Sequence, residues 1–213
     1  MAKTRTPLSR DRILESALAL ADDQGIDALS MRKLGQELGF EAMSLYNHVA
    51  NKDDLLDGML DLVLAEMDEP LPKEGLPGIR KAAISAHESL KRHPWAASLL
   101  MAPARVRPGR LAFMDALLGA LRDAGFSAET TYHAYHVIDA HIIGFSLWQS
   151  THDFSLPEEV NDDIRGFLER MIPRDTLPHL HEHGMQHLAA TYDGVSAFEY
   201  GLDLLLAGLE EKL

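Results

Sequence analysis

The chain contains no cysteine. Disulfides, thiolate metal sites and cysteine nucleophiles are therefore excluded together, and a reducing cytoplasm is the expected setting. No run of some 18 uncharged apolar residues occurs, and no apolar stretch follows the basic start MAKTRTPLSRDR. Neither a signal peptide nor a membrane span is expected. Alternating β-branched stretches, internal repeats and low-complexity tracts are also missing. So are the signatures of catalysis: there is no HExxH, no paired E-x-x-H of the di-metal bundles, no G-x-S-x-G and no phosphate loop. An enzyme is not expected, and no cofactor is implied.

What remains is a chain of 213 residues with 46% hydrophobic and 25% charged side chains, the composition of a folded globular protein. The formal net charge of −13 speaks against nucleic acid until its distribution is inspected. Residues 1–52 carry seven Lys/Arg and seven Asp/Glu and sum to zero, so the whole −13 lies in residues 53–213. An acidic body repels phosphate and leaves the neutral module, with its basic tips, to approach it.

Helical signals recur throughout, and the expected fold class is all-α. Ser9 caps a first helix whose stripe is Ile13, Ala17, Leu20 and Ala21, with Gly25 as its stop. Ser30 caps a short second helix ended by Gly39, with Met31, Leu34 and Leu38 facing inward. A third short helix runs from Ala42 to His48. Asn51 caps a fourth, with an apolar face of Leu55, Met59, Leu62, Val63 and Met67. EPLPKEGLPG, residues 69–78, reads as a linker because of its prolines and glycines. Further helices are expected at 79–92, 95–102, 109–124, 128–152, 158–171, 179–191 and 195–212. The expected division is a helix-turn-helix domain over 1–52, a connecting helix over 53–68 and a larger helical domain over 69–213.

The most specific segment is LSMRKLGQELGFEAMSLYNHVANKDDLL, residues 29–56. Two short helices joined at a glycine form a helix-turn-helix when the first braces the second against the major groove. Leu34, Leu38, Leu45 and Val49 supply the brace. The opposite face of the third helix then presents Ala42, Met43, Tyr46 and Asn47, with Ser44 near its leading end. Taken singly, Ser30 is an ordinary cap and Tyr46 an ordinary core-edge aromatic. Their order within one short segment favours DNA binding.

Ser30-Met31-Arg32-Lys33-Leu34, then Gly39, then Ser44-Leu45-Tyr46-Asn47-His48, then Asn51-Lys52, resembles the tetracycline-repressor (TetR) family of bacterial regulators. FEYGLDLLLAGLE, residues 198–210, resembles the last helix of members whose C-terminal domain is related to that of the tetracycline repressor. GFSAETTYHAYHVIDAHIIGFSLW resembles their long dimer helix more loosely. The resemblance implies a transcriptional regulator, a repressor released from a palindromic operator by a small-molecule effector. It also implies that Ser30, Tyr46, His48 and Lys52 hold phosphates, and that Arg32, Ala42, Met43, Ser44 and Asn47 read bases. Lys3, Arg5, Arg10 and Arg12 are candidate arm contacts. Asp68 stands where the tetracycline-binding members carry a pocket histidine, so tetracycline with magnesium is not implied.

The last helix puts Val195, Phe198, Leu202, Leu205, Leu206 and Leu209 on one broad face. With the helix near 128–152, that face is expected to form a homodimer. For the effector, the candidates are Met67, Trp95, Phe113, Tyr132, His136, His141, Phe145 and Trp148, with His136 and Trp148 foremost because the long helix is read as facing inward. A competing reading is an all-helical metal- or ligand-binding protein without a DNA role. It draws on the spacing of His133, His136 and Asp139 and on the cluster His179, His181, His183 and His187. That spacing is permissive only, and no metal site is assigned.

Overall fold

The computed structural model describes residues 7–71, 73–102, 107–151, 162–189 and 196–213. Among these every regular element is helical. The helices are α1 (Arg10–Gln24), α2 (Met31–Leu38), α3 (Ala42–Leu45), α4 (Lys52–Ala65), α5 (Gly75–Arg92), α6 (Pro94–Leu100), α7 (Pro108–Asp123), α8 (Ala128–Thr151), α9 (Asp162–Met171), α10 (Pro178–Ala189) and α11 (Ala197–Glu210), with a 3-10 turn at Ile26–Ala28.

Helix starts follow the expected cap chemistry. The Ser9 hydroxyl accepts from the Arg12 amide, the Ser30 hydroxyl from the Lys33 amide, and the Asn51 side chain from the Asp54 amide. Pro94 and Pro108 occupy the first positions of α6 and α7, where a missing N–H costs nothing. The same reasoning corrects the linker. Helix α5 begins at Gly75, inside the segment expected to be irregular, because Pro77 falls in its first turn. The third helix is also shorter than expected: regular α-structure ends at Leu45, and Tyr46 to His48 continue as a tight turn.

The chain divides into two compact units, Met1–Thr151 with Gly201–Leu213, and His152–Tyr200. In the first, Ile13, Ala17, Leu34, Leu45, Val49, Leu55 and Met59 form the core around α1 to α4. A second core lies between α5, α7 and α8, where Ala82, Ala83 and Ala86 of α5 allow close helix approach to Leu117, Leu121, Ile138 and Ile142. Burying each of these larger aliphatic side chains contributes about 1.5–3 kcal/mol. In the second unit, α9 and α10 pack on each other, and the His181 Nδ1 lies 2.8 Å from the Ile172 carbonyl.

Of the residues on the expected dimer face, Phe198, Leu202 and Leu206 are already buried within the chain and Leu205 and Leu209 are half-buried, while Leu204, outside that face, is 60% exposed. The outward stripe of α11 is thus turned by a residue or two from the one expected. Val195 lies outside the described residues.

Candidate nucleic-acid interface and the cleft behind it

Helix α2 ends in a glycine stop that sets the geometry of everything after it. Gly39 adopts φ 73°, the left-handed region open to glycine. Its amide bonds the Gln36 carbonyl at 3.1 Å, and the Phe40 amide bonds the Gly35 carbonyl at 2.8 Å. These two bonds make a Schellman closure, which satisfies the last carbonyls of α2 and reverses the chain within three residues. Leu34, Leu38, Leu45 and Val49 are all buried, as a brace requires.

The outward face of α3 and its following turn carries the expected side chains. Met43 is 75% exposed and Tyr46 43%, Asn47 is exposed, and Ala42, Ser44 and His48 are partly so. Ser30, Arg32 and Lys52 are also exposed. These nine residues lie at the starts of α2 and α4 and along α3 and the turn after it. Lys33, between Ser30 and the brace, bonds Gln24 of α1 through its side chain.

Two arginines expected to act as arm contacts have other work. The Arg10 guanidinium donates to both oxygens of Asp54, at 2.7 and 2.9 Å, and to the His48 carbonyl at 3.1 Å. Asp54 also accepts from the Ala50 amide at 2.8 Å. Arg10 therefore ties α1 to the turn behind the recognition helix, a role that a contact 38 to 44 residues away leaves invisible in the sequence. Arg12 lies over the Phe40 ring at 5.8 Å. Lys3 and Arg5 lie outside the described residues.

The hydrogen bonds from Arg10 and then Ala50 lower the Asp54 carboxyl to about 2. A depressed carboxylate contributes stability that is complete above its unfolded value near 4 and disappears as pH falls through about 2. We expect Asp54→Asn to cost about 1–2 kcal/mol at neutral pH, less than a fully enclosed bidentate pair, since Arg10 is partly solvated. The variant should lose correspondingly less between pH 4 and pH 2. Urea unfolding at both ends of that range checks this; equal acid losses in the two proteins would remove Arg10–Asp54 as a stabilising pair.

Behind the interface, α4 carries Asp53, Asp54, Asp57 and Asp61, an acidic ridge. Arg107, just before α7, bridges Asp57 at 3.2 Å and Asp61 at 2.6 Å. Past this clamp a cleft of about 380 Å³ is lined by Asp61, Leu64, Ala65, Met67, Pro108 and Phe113, among others. Met67 and Phe113, two of the expected effector contacts, line this cleft.

The other six expected ligand residues are placed elsewhere. Trp95 is buried, with its indole N–H on Asp22 of α1 at 2.7 Å, so it belongs to the seam between α1 and α6. Tyr132 and Trp148 are 60% and 48% exposed, and His136 is exposed with its Nδ1 2.7 Å from the Tyr132 carbonyl. The inward reading of these three is corrected: α8 is apolar or aromatic on nearly every face, and such a helix does not reveal which face is covered. His141 and Phe145 are half-buried in a run of rings, His141–Phe145 at 5.7 Å and Phe145–Trp148 at 5.6 Å between centroids. His87 of α5 meets Phe145 edge-on and bonds the buried Ser146 at 2.8 Å.

The metal spacing fares no better. Asp139 is paired with Arg110 at 2.5 Å, and among the described residues no three His, Asp or Glu side chains converge on a metal position. The side chain of His187 lies outside the described residues.

Residues 13–59 match the bacterial regulatory proteins of the tetR family, and residues 77–213 match the tetracyclin repressor-like C-terminal domain. The chain belongs to the TetR family. It is 37% identical over 156 residues to an HTH-type transcriptional regulator of Saccharopolyspora erythraea, covering 70% of this chain and 65% of that protein. With the HTH-type transcriptional repressor DrrR1 of Streptomyces coeruleorubidus it shares 35% over 141 residues, which is 52% of that protein's length. The chain thus spans about two thirds and one half of these two relatives. The class D tetracycline repressor of Escherichia coli is 30% identical over 97% of this chain and 91% of its own. Among solved structures, the TetR family protein ActR of Streptomyces coelicolor, in complex with (S)-DNPA, superposes with a TM-score of 0.72 at 30% identity, covering 98% of this chain and all of the other. No helix among the described residues of this TetR-family chain is long and apolar enough to cross a membrane.

Proposed function

We propose that this protein is a homodimeric transcriptional repressor that grips a palindromic operator through residues 1–52 and releases it when a small molecule binds in the helical domain of residues 69–213. One observation carries the reading: α4 starts at Lys52, beside the recognition turn, and ends as a wall of the cleft at Leu64 and Ala65, with Met67 just beyond it. A single rod of 14 residues, about 21 Å, spans both sites. A pivot at its cleft end becomes a displacement at the operator end.

In this reading Ser30, Tyr46, His48 and Lys52 hold phosphates, while Arg32, Ala42, Met43, Ser44 and Asn47 face the bases. Met67 and Phe113 contact the effector, and the cleft volume lies at the lower end for a small-molecule site. ActR, solved with (S)-DNPA and with actinorhodin, is the relative that supports a small-molecule ligand. The protein acts in the cytoplasm, where its DNA is, and has no catalytic role.

The test is a gel shift of the DNA upstream of the protein's own gene, with folded and dimeric protein at low salt. A retarded band that competitor DNA of unrelated sequence does not remove is expected. No retarded band under those conditions overturns the proposal.

A further inference from the structure

His93 closes α5 and opens α6, and it is 5% exposed. Its ring stands between two carboxylates from two other helices. The Nδ1 lies 2.9 Å from both oxygens of Asp22 on α1, and the Nε2 lies 3.2 and 3.3 Å from those of Glu66, directly after α4. A neutral imidazole has one N–H and one lone pair, so either tautomer would set a lone pair against a carboxylate. Only the imidazolium donates to both.

The charges around the ring agree. Asp22 comes from α1 and Glu66 from the end of α4. Arg92 of α5 donates to Glu66 at 2.6 Å, and α6 brings only the indole of Trp95, which donates to Asp22. Two carboxylates, one guanidinium and one imidazolium sum to zero, whereas a neutral His93 would leave a half-buried excess of negative charge. Burial works against the Glu66 carboxylate, but the bonds from Arg92 and His93 outweigh it and hold its carboxyl below the ordinary range.

The place of this ring gives the charge a consequence. Helices α1 and α4 belong to or abut the DNA-binding module, and α5 and α6 belong to the sensing domain. We propose that His93 is a positioning residue whose proton locks these two parts together, so that operator affinity is linked to the protonation of this one ring. The inference rests on the operator-binding reading above. Losing the proton turns one of the two hydrogen bonds into a lone-pair repulsion, so that the ring no longer holds both α1 and the end of α4 to α5 and α6. The recognition helices of the dimer are then less well held at their spacing, and the cost of ordering them falls on binding.

The experiment is fluorescence anisotropy of a labelled duplex from the DNA upstream of the protein's own gene, from about pH 6 to about pH 8.5 at fixed ionic strength. Wild type is compared with Glu66→Gln and, independently, with Asp22→Asn. Each amide keeps the shape and can donate to an imidazole lone pair, so a neutral His93 is satisfied and the need for the second proton disappears. One linked proton changes affinity by at most about tenfold per pH unit. Wild-type affinity should fall about fivefold or more across the range. Both variants should give clearly flatter profiles and bind at least as tightly as wild type at the alkaline end. His48, proposed to hold a phosphate, is unchanged in all three proteins, so its contribution is common to them. Profiles parallel to wild type in both variants overturn the lock. No binding by wild type at any pH overturns instead the operator reading on which it stands, and the lock with it.

Discussion

A glutamate at Val137 or at Leu209 will convert the protein from dimer to folded monomer and remove operator binding with it. Val137 of α8 and Leu209 of α11 line a shallow groove together with His133, Ala134 and Leu205, and Leu204 and Tyr132 are exposed nearby. An apolar surface of this kind on two helices suits a twofold partner presenting the same surface, and a carboxylate placed among its aliphatic side chains must be desolvated at the seam, a cost that Lys212 at the groove offsets only in part. Two half-sites bound by one dimer gain from effective concentration, so a monomer should bind the full operator about a hundredfold more weakly or worse. Light scattering and anisotropy on the same samples measure both effects. Leu202→Glu makes the contrast: Leu202 is fully enclosed within the chain, so that variant should unfold, by circular dichroism, rather than dissociate. A folded dimer from Leu209→Glu would take α11 out of the interface.

Arg32 and Lys52, both exposed at helix starts, should fail in different ways. Lys52→Ala is expected to weaken binding to every sequence alike and to lower the salt slope by about one charge, because a phosphate contact carries no base information. Arg32→Ala should cost ~1–3 kcal/mol at one base pair per half-site and relax discrimination there, as loss of a bidentate guanine contact does. Titrations against single-base operator variants, with half-sites a helical turn or a multiple of it apart, separate the two. A uniform loss for Arg32→Ala would make it a phosphate contact.

Much of the DNA-binding end could be read from the sequence because its determinants are local. A cap at Ser30 bonds an amide three residues on, and the stop at Gly39 bonds carbonyls three and five residues back. The brace of Leu34, Leu38, Leu45 and Val49 follows from helical period alone. The rods and joints behind it could not be read in that way. Arg10 finds Asp54, Arg107 finds Asp57 and Asp61, and His93 finds Asp22 across 71 residues, and no periodicity encodes such pairings. Helix α8 defeated the pattern for another reason. Its one side packs on α5 and α7 while Tyr132 and Trp148 stand outward, and both sides are written in the same apolar and aromatic letters. The burial of Leu202 and Leu206 beside the exposure of Leu204 comes from a rotation of α11 that only its neighbours determine.

The acidic ridge of α4 bears on how long the protein takes to find its target. Asp53, Asp54, Asp57 and Asp61 follow directly behind the recognition turn, with Arg10 set on Asp54 and Arg107 on Asp57 and Asp61. A duplex that arrives a few ångströms out of register meets carboxylates instead of Lys52. Encounters in most orientations are therefore expected to be short, with little of the protein held on unrelated DNA. On the proposed reading, the search is expected to proceed by brief collisions more than by long slides, leaving free protein for sites where shape and sequence overcome the repulsion.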